Sequence, residues 1–175
     1  MRNWFGPLFL GLIVAAATAY AALVAVPYAL MTVAMDRLGQ GGVNQMSYGA
    51  LATAARQPIV RPSPDLAYSS CPYDLSAGPL AIDVTPVPGR YSSLSIFDAA
   101  TDVIFVRNDV QADGKRFRII VAREGQAVPA GAKVVRTNHD KGIALIRLLL
   151  KDPAEIGGLD AVRRQSTCAT VTKLK

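Results

Sequence analysis

Arg61, Asp65, Tyr68 and Ser69 place a guanidinium, a carboxylate and two hydroxyls within a short stretch, a set able to line a small polar pocket for a ligand or substrate. Arg90 and Tyr91, which follow Gly89 in an expected turn, add a second cation and phenol able to meet an anion. The competing reading is structural, with Arg61 pairing to Asp65 and the hydroxyls bonding backbone, because buried polar groups need partners whether or not a ligand exists. His139 is the sole imidazole. Its neighbour Asp140 does not orient it merely by adjacency, and a nucleophile such as Ser92 or Ser93 would have to be brought within hydrogen-bond reach of it. The surrounding Thr137–Gly142 is a polar turn by composition, where a solvated histidine is expected. Asp65, Asp74, Asp98 and Asp102 lack EF-hand spacing, and two cysteines with one histidine do not make a zinc set. The sequence therefore predicts no catalytic residues, no metal and no cofactor, and leaves an enzyme the less favoured class.

Before any such site comes a segment of different material. From Trp4 to Met35 no side chain is charged, whereas charges recur throughout after Asp36. As a helix this run would reach about 48 Å against about 30 Å of hydrocarbon. Trp4, Phe5, Tyr20 and Tyr28 include aromatics suited to the two interfaces, and Pro27 marks a kink or an end. A cleaved signal peptide is the alternative, with Arg2 as its charged start and Ala17-Thr18-Ala19 as its cleavage site. An anchor is preferred because the apolar run continues well beyond Ala19. Arg2 and the α-amino group favour a cytoplasmic N-terminus, which places the remainder outside: a single-pass protein of the inner membrane with a periplasmic domain. The expected organisation is an anchor over 1–36, a linker over 37–60 with a possible short helix from Asn44 to Ala55, and a β-rich domain over 61–175.

Nineteen Lys and Arg against thirteen Asp and Glu give a net charge of +6. The cations are scattered and not interleaved with aromatics, so nucleic acid is not an expected partner, and the bilayer is. In an oxidising compartment Cys71 and Cys168 would form a disulfide, and closing a loop of about 100 residues would stabilise the fold by about 4 to 5 kcal/mol in the chain-entropy model. Two buried free thiols are the alternative.

Beyond Arg61, short apolar alternations are separated by Pro, Gly, Asp and Asn, the texture of antiparallel β structure. Leu80, Ile82 and Val84 alternate with Ala81, Asp83 and Thr85; Tyr91 to Phe97 reads as the next strand. Val103–Arg107 and Phe117–Ala122 flank Asp113-Gly114, which predicts a hairpin pairing those two strands. Val134 and Val135 suggest a brief strand, and Ile143 to Leu150 a central one interrupted only by Arg147. Asp152, Pro153 and Glu155 open a helix, with Gly157-Gly158 as an interruption. The whole predicts a mainly β fold: a transmembrane helix, then an antiparallel β-sandwich or partial barrel with short peripheral helices.

The run Arg61-Pro62-Ser63-Pro64-Asp65-Leu66-Ala67-Tyr68-Ser69, then Tyr73 to Pro79, then Gly89-Arg90-Tyr91 leading into Leu94-Ser95-Ile96-Phe97-Asp98, resembles the bacterial family DUF1254, a domain of unknown function. It is most similar to the short, membrane-anchored members, over Val60 to Cys168. The resemblance implies a β-sandwich that longer relatives join to a second uncharacterised module, DUF1214, and that short relatives meet as a separately encoded companion. It brings no reaction with it. The sequence thus predicts a tethered module that pairs with a companion envelope protein. The alternative is a periplasmic enzyme or ligand binder using Arg61, Asp65, Tyr68, Ser69, Arg90 and Tyr91.

Overall fold

The computed structural model describes residues 4–53, 55, 57 and 62–172. Helix α1, Phe5–Leu38, is built almost entirely of helix-compatible apolar residues and crosses Pro27 without ending. It is apolar on all sides and exposed from Phe5 to Val26, which in water would leave a large surface unburied. One helix, this one, is long and apolar enough to cross a membrane among the described residues. It stops at Gly39, whose N–H bonds the Met35 carbonyl and where a side chain would collide with that oxygen.

Among the described residues nine strands follow: β1 Ser47–Tyr48, β2 Leu66–Asp74, β3 Leu80–Val84, β4 Ser92–Asp98, β5 Val103–Asn108, β6 Phe117–Arg123, β7 Val134–Thr137, β8 Lys141–Leu149 and β9 Thr167–Thr170. They make a five-stranded sheet, ordered β1-β2-β8-β4-β5, and a four-stranded sheet, ordered β7-β6-β3-β9. The sheets face each other as an open sandwich. All pairings are antiparallel except β6 with β7, so the second sheet is mixed. Period-two alternation explains the core: Leu94, Ile96, Ala144 and Ile146 from one sheet meet Leu80, Ile82, Ile119 and Val121 from the other. The Cys71–Cys168 disulfide fastens β2 to β9 across this core. Helix α2, Ile156–Arg163, closes one end over Ala67, Val87, Leu148 and Leu150. The last turns of α1 lie on the outer face of the five-stranded sheet, where the Ser70 hydroxyl donates to the Leu38 carbonyl and Met31 is buried.

Three expectations need correction. Val103–Arg107 and Phe117–Ala122 are not a hairpin: β5 pairs with β4, while β6 lies between β3 and β7 in the other sheet. Asp113 and Gly114 do adopt positive φ, at 51° and 62°, as the dipeptide suggested. The turn they form follows a short 3-10 helix, Val110–Ala112, and the connection is long enough to cross the sandwich. Four consecutive buried residues, Ile119 to Ala122, demand neighbours on both sides of β6, and that burial overrides the local turn signal.

From Asn44 to Ala55 the described residues form turns and the short strand β1 in place of a helix. Asn44 sits at positive φ and its amide clips three other groups, accepting the Asp74 N–H and donating to the Asp74 carbonyl and the Thr170 hydroxyl. That side chain satisfies the sandwich and leaves nothing to cap a helix. Finally, Gly157 and Gly158 lie inside α2 without breaking it, after a 3-10 turn capped by Asp152.

Candidate functional site

Arg61 lies outside the described residues. Asp65 is exposed in the turn before β2, where its carbonyl accepts the Leu150 N–H. Tyr68 and Ser69 are consecutive on β2 and so face opposite ways: the Tyr68 hydroxyl accepts the Ser63 N–H on the outer side, and Ser69 is buried toward the core. Arg90 forms a forked pair with Glu155, at 2.6 and 3.3 Å, which holds the β3–β4 turn to the segment before α2. That guanidinium, with the Lys151 N–H, keeps the Glu155 carboxyl below its usual range. Tyr91 is half exposed and its carbonyl accepts the Leu149 N–H. The sheet thus carries Asp65 and Tyr91 to one end, on either side of the last residues of β8, while Ser69 points elsewhere.

The opposite end, where α1 leaves the sandwich, holds an arrangement that no sequence spacing suggested. Asp98 closes β4, and one of its carboxylate oxygens accepts the N–H groups of Ala100 and Asp102. The other oxygen meets His139 Nδ1 at 2.9 Å. On the far side of the ring, Nε2 lies 3.2 Å from the Tyr28 hydroxyl of α1, so the imidazole bridges that phenol to Asp98. His139 is therefore not the solvated residue its polar turn implied. The carboxylate–imidazole–hydroxyl order matches that of an acyl-transfer triad, but the hydroxyl is a phenol on another element and both ring nitrogens are occupied. Its effect is to clamp α1 to the domain. Beneath it Tyr73 donates to the Phe97 carbonyl at 2.9 Å, and burial, with the Asp98 charge, pushes its phenol well above the ordinary range.

A second polar knot surrounds Arg163, which is buried. It bonds Asp160 and the carbonyls of Gly49 and Tyr68, and stacks on the Tyr48 ring. Here too every donor has an acceptor close by.

The sandwich exposes apolar surface at one edge. Among the described residues strand β5 has no neighbour on its outer side, and Val103 and Val106 are 54% and 53% exposed, with Val110 beyond them. Arg107 lies over the Phe117 ring and Lys133 over Phe105, at 4.8 and 5.7 Å. Phe105, Val106, Arg107, Gln111 and Lys133 line a shallow depression of about 240 Å³. Among the described residues neither cation makes an ion pair.

Comparison with known proteins bears on the fold. The fold is similar to that in the crystal structure of the VPA0106 protein from Vibrio parahaemolyticus, with a TM-score of 0.63 at 15% identity over 87% of this chain. An uncharacterised protein from Burkholderia cenocepacia matches 63% of the chain at 19% identity and a TM-score of 0.47. The chain spans 37% and 32% of the lengths of these two proteins, roughly a third of each. No curated protein matches the sequence. The profile described as "Protein of unknown function (DUF1254)" matches residues 43–170, which contain all nine strands and both cysteines, and the chain therefore belongs to the DUF1254 family.

Proposed function

We propose that this protein is a membrane-tethered interaction module of the bacterial envelope. In this reading α1 spans the inner membrane with its N-terminus in the cytoplasm, and the sandwich stands in the periplasm. Phe5 to Val26 supplies about 33 Å of uncharged helix, close to the hydrocarbon thickness, and brings Tyr28 and its clamp to the headgroup level. The disulfide is in keeping with an oxidising compartment.

The observation that carries the reading is the β5 edge. A long apolar edge strand with free backbone groups invites pairing with another chain, and soluble monomers commonly blunt such edges with charge or proline. Here Val103-Ile104-Phe105-Val106 runs uncharged along the edge, and the cations beside it stand over aromatic rings. The partner we assign is a companion envelope protein of the DUF1214 type that adds a strand to β5 and sets carboxylates against Arg107 and Lys133. The greater length of the VPA0106 chain supports this, since it leaves room for a second module covalently joined to the first.

Co-expression of the full chain with a DUF1214 protein, followed by purification in an uncharged detergent, tests the proposal. A stoichiometric complex is expected, and Val106→Lys should weaken it at least about tenfold by burying a charge at the seam. Recovery of the wild-type chain alone, or equal recovery with Val106→Lys, would overturn it.

A further inference from the structure

The outer face of the five-stranded sheet carries a row of polar side chains that runs across it from β2 to β5. Strand register sets Tyr68 opposite Arg147, Arg147 opposite Ser93, and Ser93 opposite Asn108, across β2, β8, β4 and β5. The neighbours Ile146, Leu148 and Leu94 face the core, so this row faces out. Arg147 is half-buried, yet among the described residues no carboxylate pairs with it. One Nη donates to the Ser95 hydroxyl at 2.9 Å, while its buried Nε–H has no acceptor among the described residues. Beside it Ser93, 3% exposed, also has a buried hydroxyl with no partner among the described residues. Asp109, an acid close in sequence to this row, accepts the Ser92 N–H.

A guanidinium held out of water without a counter-charge is costly, and native interiors leave few donors unmatched. Two such donors on adjacent strands, one of them cationic, fit a group that offers several lone pairs and a negative charge. The Nε–Nη edge of guanidinium matches an oxyanion in forked geometry. The surroundings are apolar. Leu149, two residues along β8 on the same face, is 42% exposed; Tyr91, whose carbonyl accepts the Leu149 N–H, is 47% exposed. We propose that Arg147 and Ser93, with Tyr68 beside them, bind an oxyanion, carboxylate or phosphate, that is carried on an apolar body. This site is separate from the β5 edge and stands whether or not that edge takes a partner.

The full chain, labelled with nitrogen-15 at arginine and embedded in phosphatidylcholine nanodiscs, gives a direct readout through the Arg147 Nε–H resonance. Titration with hexanoate or hexyl phosphate should move that resonance saturably. Acetate and inorganic phosphate should bind at least about tenfold more weakly, and hexanol not at all. By isothermal titration calorimetry, which does not need that resonance, Arg147→Gln should lower hexanoate affinity at least about tenfold, and Ser93→Ala about threefold, with the disulfide and thermal unfolding retained. Replacing the lipid by phosphatidylglycerol separates the two sources of such an anion: a shifted resonance without added ligand assigns the site to a lipid headgroup, an unshifted one to a soluble amphiphile. The proposal fails if neither amphiphile gives a saturable shift, or if folded Arg147→Gln binds hexanoate as tightly as the wild type. Equal affinities for acetate and hexanoate would overturn its apolar half.

Discussion

Tyr68 stands between two arginines that the fold treats in opposite ways. On one side Arg163 is buried and saturated: Asp160 takes its charge, the Gly49 and Tyr68 carbonyls take further donors, and the Tyr48 ring covers its face. On the other side Arg147 lies across the β2–β8 ladder from the same tyrosine, with one hydroxyl as acceptor and an idle Nε–H. The helix end of the domain resembles the first arginine, since Asp98, His139, Tyr28 and Tyr73 all have partners. The contrast separates polar groups that hold the sandwich together from polar groups that face something outside it. If it is sound, substitutions in the saturated regions should damage stability, and those on the Arg147 face should leave it nearly unchanged.

The largest effect is expected at Gly142, in the saturated end. A β-carbon there would overlap the Phe97 carbonyl oxygen and the Tyr73 ring, both fixed by their mutual hydrogen bond. Gly142→Ala should cost about 3 kcal/mol or more, as overpacking of a rigid site does. Chemical denaturation of the full chain in detergent measures it; a loss below about 1 kcal/mol would show that this end is looser than its bonding implies.

Next in size is the direct comparison of the two arginines. Arg163→Ala takes one of its two arginines from Asp160 and a donor from each of the Gly49 and Tyr68 carbonyls in a buried corner, and should cost about 3 kcal/mol. Arg147→Gln removes a charge that has no ionic partner among the described residues and should change stability by no more than about 0.5 kcal/mol in either direction. Equal losses from the two substitutions would erase the distinction. His139→Ala comes third, at about 1 to 2 kcal/mol, because Asp98 keeps its two backbone donors when the ring is gone. Its characteristic sign is local: trypsin cleavage at Arg37 should accelerate as the last turns of α1 loosen from the sheet.

The sequence exposed some of this plainly and hid the rest for identifiable reasons. Leu80, Ile82 and Val84 announced an inward face by alternation, and β8 was legible as central because a long apolar run needs cover on both sides. The two cysteines, alone in the chain, pointed to each other. The β5–β6 connection misled because Asp113-Gly114 reports the conformation of a turn and not the sheet to which the next strand goes. His139 and Asp98 are 41 residues apart, and Tyr28 is 111 from His139, so only the register of β4 and β8 and the placement of α1 bring them together. Arg147 was visible as the one interruption of an apolar strand. Its meaning depended on Ser93 and Tyr68 standing beside it, which is a matter of pairing across strands.

The smallest predicted effect concerns pH and again belongs to the saturated side. Hydrogen bonding to Arg164, and after it Arg163, holds the Asp160 carboxyl below its usual range. A carboxyl whose folded pKa lies below its unfolded value of about 3.9 contributes stability that is complete above that pH and is lost as pH falls through the folded value. Asp74, held low mainly by its bond from Ser76, acts in the same direction. Stability should therefore be flat in this respect from neutral pH down to about 5 and decline below about 4. In Asp160→Asn part of that decline should vanish, and the variant should be less stable at neutral pH but approach the wild type in acid. The ion pair is partly exposed, so the difference at neutral pH should be smaller than that of Arg163→Ala. A gap between Asp160→Asn and wild type that stays constant from pH 7 to pH 3 would assign the Arg163 corner to packing alone, and the arginine contrast would then rest on shape and not on charge.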